Sequence, residues 1–567
     1  MKYQIITIIC IGVVLWFSII PVEIHWCDTD IRFTEAICAV SAVAILMVLQ
    51  RRHRFIPSSI DAIVSLSIVY VMVRAYVDST YPCANFILRF MQMLSLYVSS
   101  RLLFSSAPVS EKMIVFVILF CAIYEAYLGA NQLIKGYSRH HLFAMTGSFL
   151  NPGPYSIFLG LGMVMSCYIK QKYDSGKDVF SSLMTYLPLI FLILLPATWS
   201  RAALLSAAIC LGIIYWEKWK RWKWQAALSI VAILMGLYFL KKGSADGRSV
   251  IYMISLLCIQ QHPLFGSGIG SFCHQYAEGM EIFSLQHPAF DFHHADVTSN
   301  AFNILLQIGV EQGIVGLCLA IVLVVLILIK LFKKGGVLGM GLLCLLLFSM
   351  FSYPFELLPY QIIFVLSAAY AATDKAECAI SAGWHECYRH CILPMALFCV
   401  VVLSSVFTYK QMKERIQAET DYQLMAGSRH VAFIEDYYEL LPLLNCNKRF
   451  LFDFAKILAT DGRYVDSNGM LRLGTLVSND PMFYVLQGNN YCEMMLFDEA
   501  EKAYKKAFAI MPNRLYPLYQ LMLLYEKREQ RELMVQMAQQ VARFTEKVTS
   551  PATEEMKKKA REILSKN

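Results

Sequence analysis

The sequence predicts an all-α protein in two parts: a polytopic bundle of about thirteen membrane helices over residues 1–409, and a soluble helical-repeat domain over 447–567. A helical segment at 410–446 is expected to connect them. Two observations carry this reading. Of the 567 residues 57% are hydrophobic and 16% charged, too apolar a balance for one soluble domain, and the mean hydropathy is positive. Apolar stretches also recur from residue 3 to residue 409, and near Lys410 the composition turns charged and amphipathic.

A helix rising about 1.5 Å per residue needs roughly 20 apolar residues to cross about 30 Å of hydrocarbon. The apolar runs read as helices on this basis lie near 4–21, 33–50, 58–77, 84–104, 112–130, 153–169, 181–198, 202–216, 225–240, 304–332, 336–353, 358–373 and 391–409. The N-terminus has one lysine, a long apolar run and no small-residue cleavage site before Pro21, which reads as a first anchor. Seventeen cysteines stand mostly alone in apolar runs (Cys10, Cys121, Cys210, Cys344), where cysteine acts as a small hydrophobe. With no CxxC pair, neither a zinc site nor a disulfide framework is supported.

The net charge of +8 does not point to nucleic acid, because the basic residues gather in short loops between apolar runs. One alternating set of loops holds Lys2, Arg51, Arg52, Arg54, Lys112, Lys170, Lys172, Lys177, Lys218, Lys220, Arg221, Lys223, Lys333 and Lys334. The positive-inside rule makes this set cytoplasmic and the N-terminus internal. Thirteen crossings then put the C-terminal domain outside, in the periplasm of a cell with two membranes. One external loop, from about Lys241 to Asn303, is much longer than the rest and ends in His287, Asp291, His293, His294 and Asp296. Its turn-forming and aromatic content predicts an ordered cap over the membrane face.

Residues 481–514 follow the tetratricopeptide pattern, with Tyr484, Gly488 and Tyr491 in a first helix, Phe497, Ala500, Tyr504 and Ala507 in a second, and Pro512 after it. One repeat cannot bury its own apolar face, so segments 447–480 and 515–548 are expected to be degenerate repeats or caps. Such a domain implies contact with protein and no chemistry of its own.

Five polar stretches, four of them with glycine, fall at predicted external helix ends. They are Gly147-Ser-Phe-Leu-Asn151-Pro, Thr198-Trp-Ser-Arg201, Gly247-Arg248 through Tyr252, His262-Pro-Leu-Phe-Gly266-Ser-Gly268-Ile-Gly270-Ser-Phe272, and Asn303 through Gln307, Glu311, Gly313 and Gly316. Convergence on one face is what an active site requires. Arginine suits a diphosphate, since its planar fork makes paired charge-assisted bonds and stays charged; the plainer account of Arg201 is snorkelling to the interface. Arg74 and Arg89, in external halves of spans, are functional candidates by position, though snorkelling is the plainer account. The glycines at 266, 268 and 270 follow a helix and not a strand, so they read as a tight turn and not a dinucleotide loop. His293 and His294 have no spaced partner for a metal, but either has a pKa suited to a general base; most loop histidines are simply solvated.

In this order the motifs resemble the O-antigen ligase superfamily, which includes O-antigen polymerases and bacterial protein O-oligosaccharyltransferases. The resemblance covers roughly residues 140–330 at motif level. It implies a GT-C-like bundle and a metal-independent, inverting glycosyl transfer without cofactor at the outer face of the bacterial inner membrane. The donor would be an oligosaccharide on undecaprenyl diphosphate, held by Arg201 and Arg248, and the acceptor lipid A–core or a protein. A histidine would activate the acceptor hydroxyl. Many members have His before the Asn that opens the last motif, whereas this chain has Phe302 before Asn303. His294, His293 and Asp296 are therefore the nearest bases, with Asn151, Tyr252, Asn303, Gln307 and Glu311 in support. Ligase, polymerase and protein glycosyltransferase stay open, as does a protein partner for the repeat domain. A polar-lipid transporter would place charge at mid-membrane, and a non-catalytic scaffold would rest on the Phe302 departure.

Overall fold

A computed structural model describes residues 2–566 apart from 20–25, 52–55, 79, 107–108, 139, 141, 174–178, 223–224, 226–241, 374–392, 428–429 and 548. The span expected at 225–240 lies outside the described residues, all but its first. Among the described residues the chain is helical and without strands.

Eight helices come first: α1 (Lys2–Ile19), α2 (Trp26–Arg51), α3 (Ser59–Val77), α4 (Ala84–Ser106), α5 (Glu111–Lys135), α6 (Pro152–Tyr173), α7 (Val179–Ala197) and α8 (Arg201–Ile214). The long loop contributes α9 (Lys242–Gln261) and α10 (Phe272–Gln286). The bundle resumes with α11 (Ile304–Lys334), α12 (Val337–Ser349), α13 (Leu358–Ala372) and α14 (Leu393–Ala426). Among the described residues six helices are long and apolar enough to cross a membrane: α1, α3, α5, α11, and the greater parts of α2 and α14. Four shorter apolar helices, α7, α8, α12 and α13, complete the bundle.

Helix α6 is apolar on every side, from Tyr155 to Ile169, and such a helix is stable only when surrounded. It lies among α5, α7, α8 and α12. Helix α4 is the opposite case, burying Gln92, Ser95, Ser99, Ser100 and Arg101. Gln92, Ser95, Ser99 and Arg101 each find a partner on a neighbour or on their own turn. Ser99 meets Ser41 at 2.5 Å, and Arg101 reaches Asp61 at 3.2 Å, where the Asp61 carboxylate also completes a capping box with Ser58.

The basic loops interlock at the end of the bundle opposite the long loop. Lys334 donates to the Tyr370 carbonyl at 2.7 Å, Lys172 to the Gly335 carbonyl, and the Leu338 amide to Glu111 at 2.8 Å.

Helix α14 runs unbroken past Lys410, where the composition changes, and delivers the chain to α15 (Ile434–Leu444). Three hairpins follow: α16 (Lys448–Thr460) with α17 (Tyr464–Val477), α18 (Met482–Glu493) with α19 (Phe497–Ile510), and α20 (Leu515–Lys527) with α21 (Arg531–Arg543). Their first helices start about one 34-residue period apart, and α22 (Pro551–Lys566) caps the stack. Gly488 makes the middle hairpin close: a Cβ there would sit 2.4 Å from the Tyr504 ring. The packing is that of a repeat region.

The repeat region is docked on the chain's own long loop. Helix α10 packs against α17 and α19, and Ala277 of α10 lies in the same apolar cluster as Tyr504, Ala507 and Leu518. The Ser284 hydroxyl donates to the Ala509 carbonyl at 2.6 Å, and Lys506 pairs with Glu281 at 3.1 Å. Loop and repeat region therefore stand on one side of the bundle.

Candidate functional site

The glycine motifs form the frame. The turn after α9 is spliced onto the first turns of α11: the Ser267 amide donates to the Val310 carbonyl at 2.9 Å, and the Ile314 amide to the Pro263 carbonyl at 2.9 Å. Gly266, Gly268 and Gly270 all take positive φ, as the tight-turn reading expects. Gly313 interrupts α11 at φ 64° and ψ −165°, and a Cβ there would meet the Gly266 nitrogen at 2.4 Å. Arg74 holds this splice from α3. It donates to the Gly266 carbonyl at 3.2 Å and pairs with Asp78 at 2.5 Å, a structural clamp where snorkelling was expected.

The Gly147–Pro152 motif is locked in the same manner. Gln132 accepts the amides of Thr146 and Gly147, each at 2.8 Å, and Glu125 accepts the Ser148 amide at 3.0 Å. Asn151 takes the Gly153 amide at 2.8 Å at the head of α6, and Phe149 stacks on Tyr360 at 5.9 Å. Sequence reasoning missed Glu125 and Gln132. The signal was a carboxylate inside the apolar run of α5, which must have a specific partner.

Within this frame two arginines come within electrostatic reach of one another. Arg201 is the first residue of α8, where the helix N-terminus adds its own positive potential. Arg248 is in α9, over the Phe302 ring at 5.2 Å, and donates to the Phe351 carbonyl at 2.7 Å. Burial lowers the Arg248 pKa, Tyr252 and Tyr353 raise it, and the Arg201 charge adds to the lowering. Two cations that act on one another favour an anion between them. Tyr252 braces the site, its hydroxyl donating towards the Met350 carbonyl at 3.1 Å and the Phe302 carbonyl at 3.3 Å.

Backbone strain is stored beside both arginines. Trp199, two residues before Arg201, has φ 53°, and Phe302 has φ 51°, both unusual for large side chains. Asn303 then caps α11, accepting the Leu305 and Leu306 amides at 2.9 and 3.3 Å. Gln307 accepts the Ala301 amide at 2.8 Å and donates to Glu311 at 2.7 Å. Asn303, Gln307 and Glu311 thus order the turn that carries Phe302.

The three expected bases part company. His294 lies with Nε2 3.9 Å from Asp246, on the same helix as Arg248, and its ring lies against Gly243. His293 stands edge-on to His294 at 5.1 Å, its amide held by Asp291. Asp296 faces the repeat region, 2.9 Å from Lys547 and 3.7 Å from Arg514. Asn513 holds this stretch from below, donating to the carbonyls of Phe292 and His293, each at 3.1 Å, and of Ala295 at 2.8 Å.

A further carboxylate, Glu356, lines a small pocket with Asn300, Phe302, Asn303 and Tyr353. Its crowded surroundings raise its pKa while Arg89 acts against them. It was missed because a lone carboxylate in a turn carries no spacing signal. Among the described residues no group of three or more His, Cys, Asp or Glu is placed to hold a metal ion.

No individual curated protein matches the chain. Residues 187–321, the stretch that carries Arg201, Arg248, the turn of Phe302 and the Gly313 splice, match the O-antigen ligase family, and this supports a general role in glycan transfer.

Proposed function

We propose that the chain transfers an undecaprenyl-diphosphate-linked oligosaccharide to the lipid A–core at the periplasmic face of the bacterial inner membrane, with inversion and without a metal. The observation that carries this reading is that Arg201, at the head of α8, and Arg248, in α9, lie within electrostatic reach of one another, with strained backbone at Trp199 and Phe302 beside them. Their guanidinium forks bind the diphosphate and stabilise the charge it gains as the bond from sugar C1 to phosphate oxygen breaks. The acceptor oxygen attacks C1 from the opposite face, and its proton passes to a base. His294, paired with Asp246, and Glu356, in the pocket beside Phe302, are the candidates to serve.

The helical hairpins, read as tetratricopeptide-like, engage α10 of the same chain. This favours a part in holding the loop over one in presenting a protein acceptor. Protein O-glycosylation and glycan polymerisation use the same donor, and the acceptor decides among the three. The test is transfer by the purified protein in EDTA, from an undecaprenyl-diphosphate glycan to lipid A–core, to protein and to free glycan. Transfer to lipid A–core that survives EDTA and collapses in Arg201→Ala and Arg248→Ala is the expected result. Well-folded protein that modifies none of the three acceptors would sink the proposal.

A further inference from the structure

A cavity of about 520 Å³ lies where α4, α14 and the first repeat hairpin meet, within the size range of small-molecule sites. Its walls are unequally charged. Arg89, Arg415 and Lys448 line it, against one carboxylate, Glu419, which already accepts from the Asn447 amide nitrogen at 2.8 Å. Arg415 donates through Nη1 to two neutral groups, the Leu443 carbonyl at 2.8 Å and Asn85 at 3.1 Å. With three cations on the walls against one carboxylate, an anion entering the cavity offsets the excess of positive charge.

The cavity adjoins the site described above. Ser299 lines it, and the next residue, Asn300, lines the pocket of Phe302, Asn303 and Glu356. Lys448 of the cavity and Glu311 and Glu356 of the site all act on the Cys273 thiol, whose burial pushes its pKa up to about 12. Below, Leu88 and Met412 give the cavity an apolar floor at the top of the bundle, where a lipid-anchored molecule would stand.

We propose that this cavity seats a phosphorylated sugar of the acceptor, with Arg415 and Lys448 as its principal contacts. The assignment rests on the glycan-transfer reading and names the acceptor's chemistry within it. Arginine makes forked bonds to phosphate, lysine adds a point charge at the rim, and a dianion matches the excess of cations. An acceptor held there directs a neighbouring hydroxyl towards the turn of Phe302 and the two donor arginines.

The experiment has two readouts on the full-length protein in phosphatidylcholine nanodiscs. Calorimetry compares glucose 6-phosphate with glucose, without donor. Preferential binding of the phosphate, weakened at least tenfold in Arg415→Gln and in Lys448→Glu, is expected; Lys448 is exposed, so its variant folds whatever happens at Arg415. Equal binding of the two sugars, or phosphate binding unchanged in both variants, overturns the proposal. Loss of glucose 6-phosphate binding on exchange of phosphatidylcholine for phosphatidylglycerol assigns the seat to a lipid headgroup and also overturns it. Kinetics then compare one acceptor glycan with and without its phosphate. A lower KM for the phosphorylated form, equalised in Lys448→Glu, is expected, and transfer indifferent to the phosphate rejects the cavity while leaving the transferase reading intact. Binding that behaves as expected in a protein that transfers nothing supports the cavity and rejects the transferase.

Discussion

At the scale of single residues the arginine pair decides most. Arg248 combines a charge, a fork and a ring beneath it, so its replacements should grade. Arg248→Ala is expected to lower kcat by about 10²–10³-fold, the loss typical of one preorganised transition-state donor. Arg248→Lys should recover part of this, because it keeps the charge and gives up the fork. Phe302→Ala removes the ring under the guanidinium and the edge-on contact with Tyr353, and should cost about 5- to 30-fold in kcat/KM, since a partly desolvated cation–π pair is worth about 1–2 kcal/mol. Steady-state kinetics on folded variants measure all three. Arg201 and Arg248 drew notice in the sequence because an arginine in a polar stretch between apolar runs has a clear chemical use. Glu356, Asn513 and Glu125 were not, because each works through partners more than twenty residues away or in another element, and no local spacing reveals that.

The elements show why the glycine motifs exist. Gly313→Ala would push a Cβ into the backbone of Gly266 and Leu264, atoms that cannot rotate away, at a φ that alanine rarely adopts. The expected loss is about 3 kcal/mol or more, seen as a fall in monodisperse protein after detergent extraction. Gly212→Ala, in α8 with open space around it, should be neutral or stabilise by up to about 1 kcal/mol. These turns were readable as turns, but the splice of one onto the other was not, since nothing in a sequence says which backbone a glycine must approach. Helix α10 adds a pH dependence. His274 Nδ1 lies 3.0 Å from the Thr475 carbonyl and Nε2 3.3 Å from Glu278, a geometry that asks both nitrogens to carry hydrogen. Burial opposes that charge, but these two partners outweigh it and raise the pKa above its ordinary 6.5. The contact is therefore strongest below that ordinary value and is lost as pH rises through the raised one. Hydrogen exchange should find residues 272–286 best protected near pH 6 and progressively less so towards alkaline pH, with His274→Gln flattening the profile.

For the molecule as a whole, the docking of the repeat region on the loop fixes their common side. Epitope tags at the loop tip near Phe290 and at the C-terminus should be reached by antibody from the same side of the membrane; access to one in spheroplasts and the other only after permeabilisation would contradict the packing. Asn513→Ala should release the carbonyls of Phe292, His293 and Ala295, raising protease sensitivity near His294 and lowering kcat more than it raises KM. The two-part division was evident in composition, and the hairpins in the spacing around Gly488 and Tyr504. That the second part grips the first was hidden, because α10 has the amphipathic look of any surface helix and its partner lies over 200 residues downstream.

Helix α14 joins the parts in an unusual way. Its 34 residues, about 51 Å of continuous helix, pack against α2 and α4 at one end and against α15 at the other. A rigid rod of this kind transmits phase as well as distance. One residue inserted near Lys410 would turn everything beyond it by about 100° and swing Asn513 and Thr475 away from the loop they hold. A whole heptad would nearly restore the angle but raise the repeat region by about 10 Å. Few insertions satisfy both demands, so descendants of this chain should vary in length almost anywhere on the opposite face before they vary here.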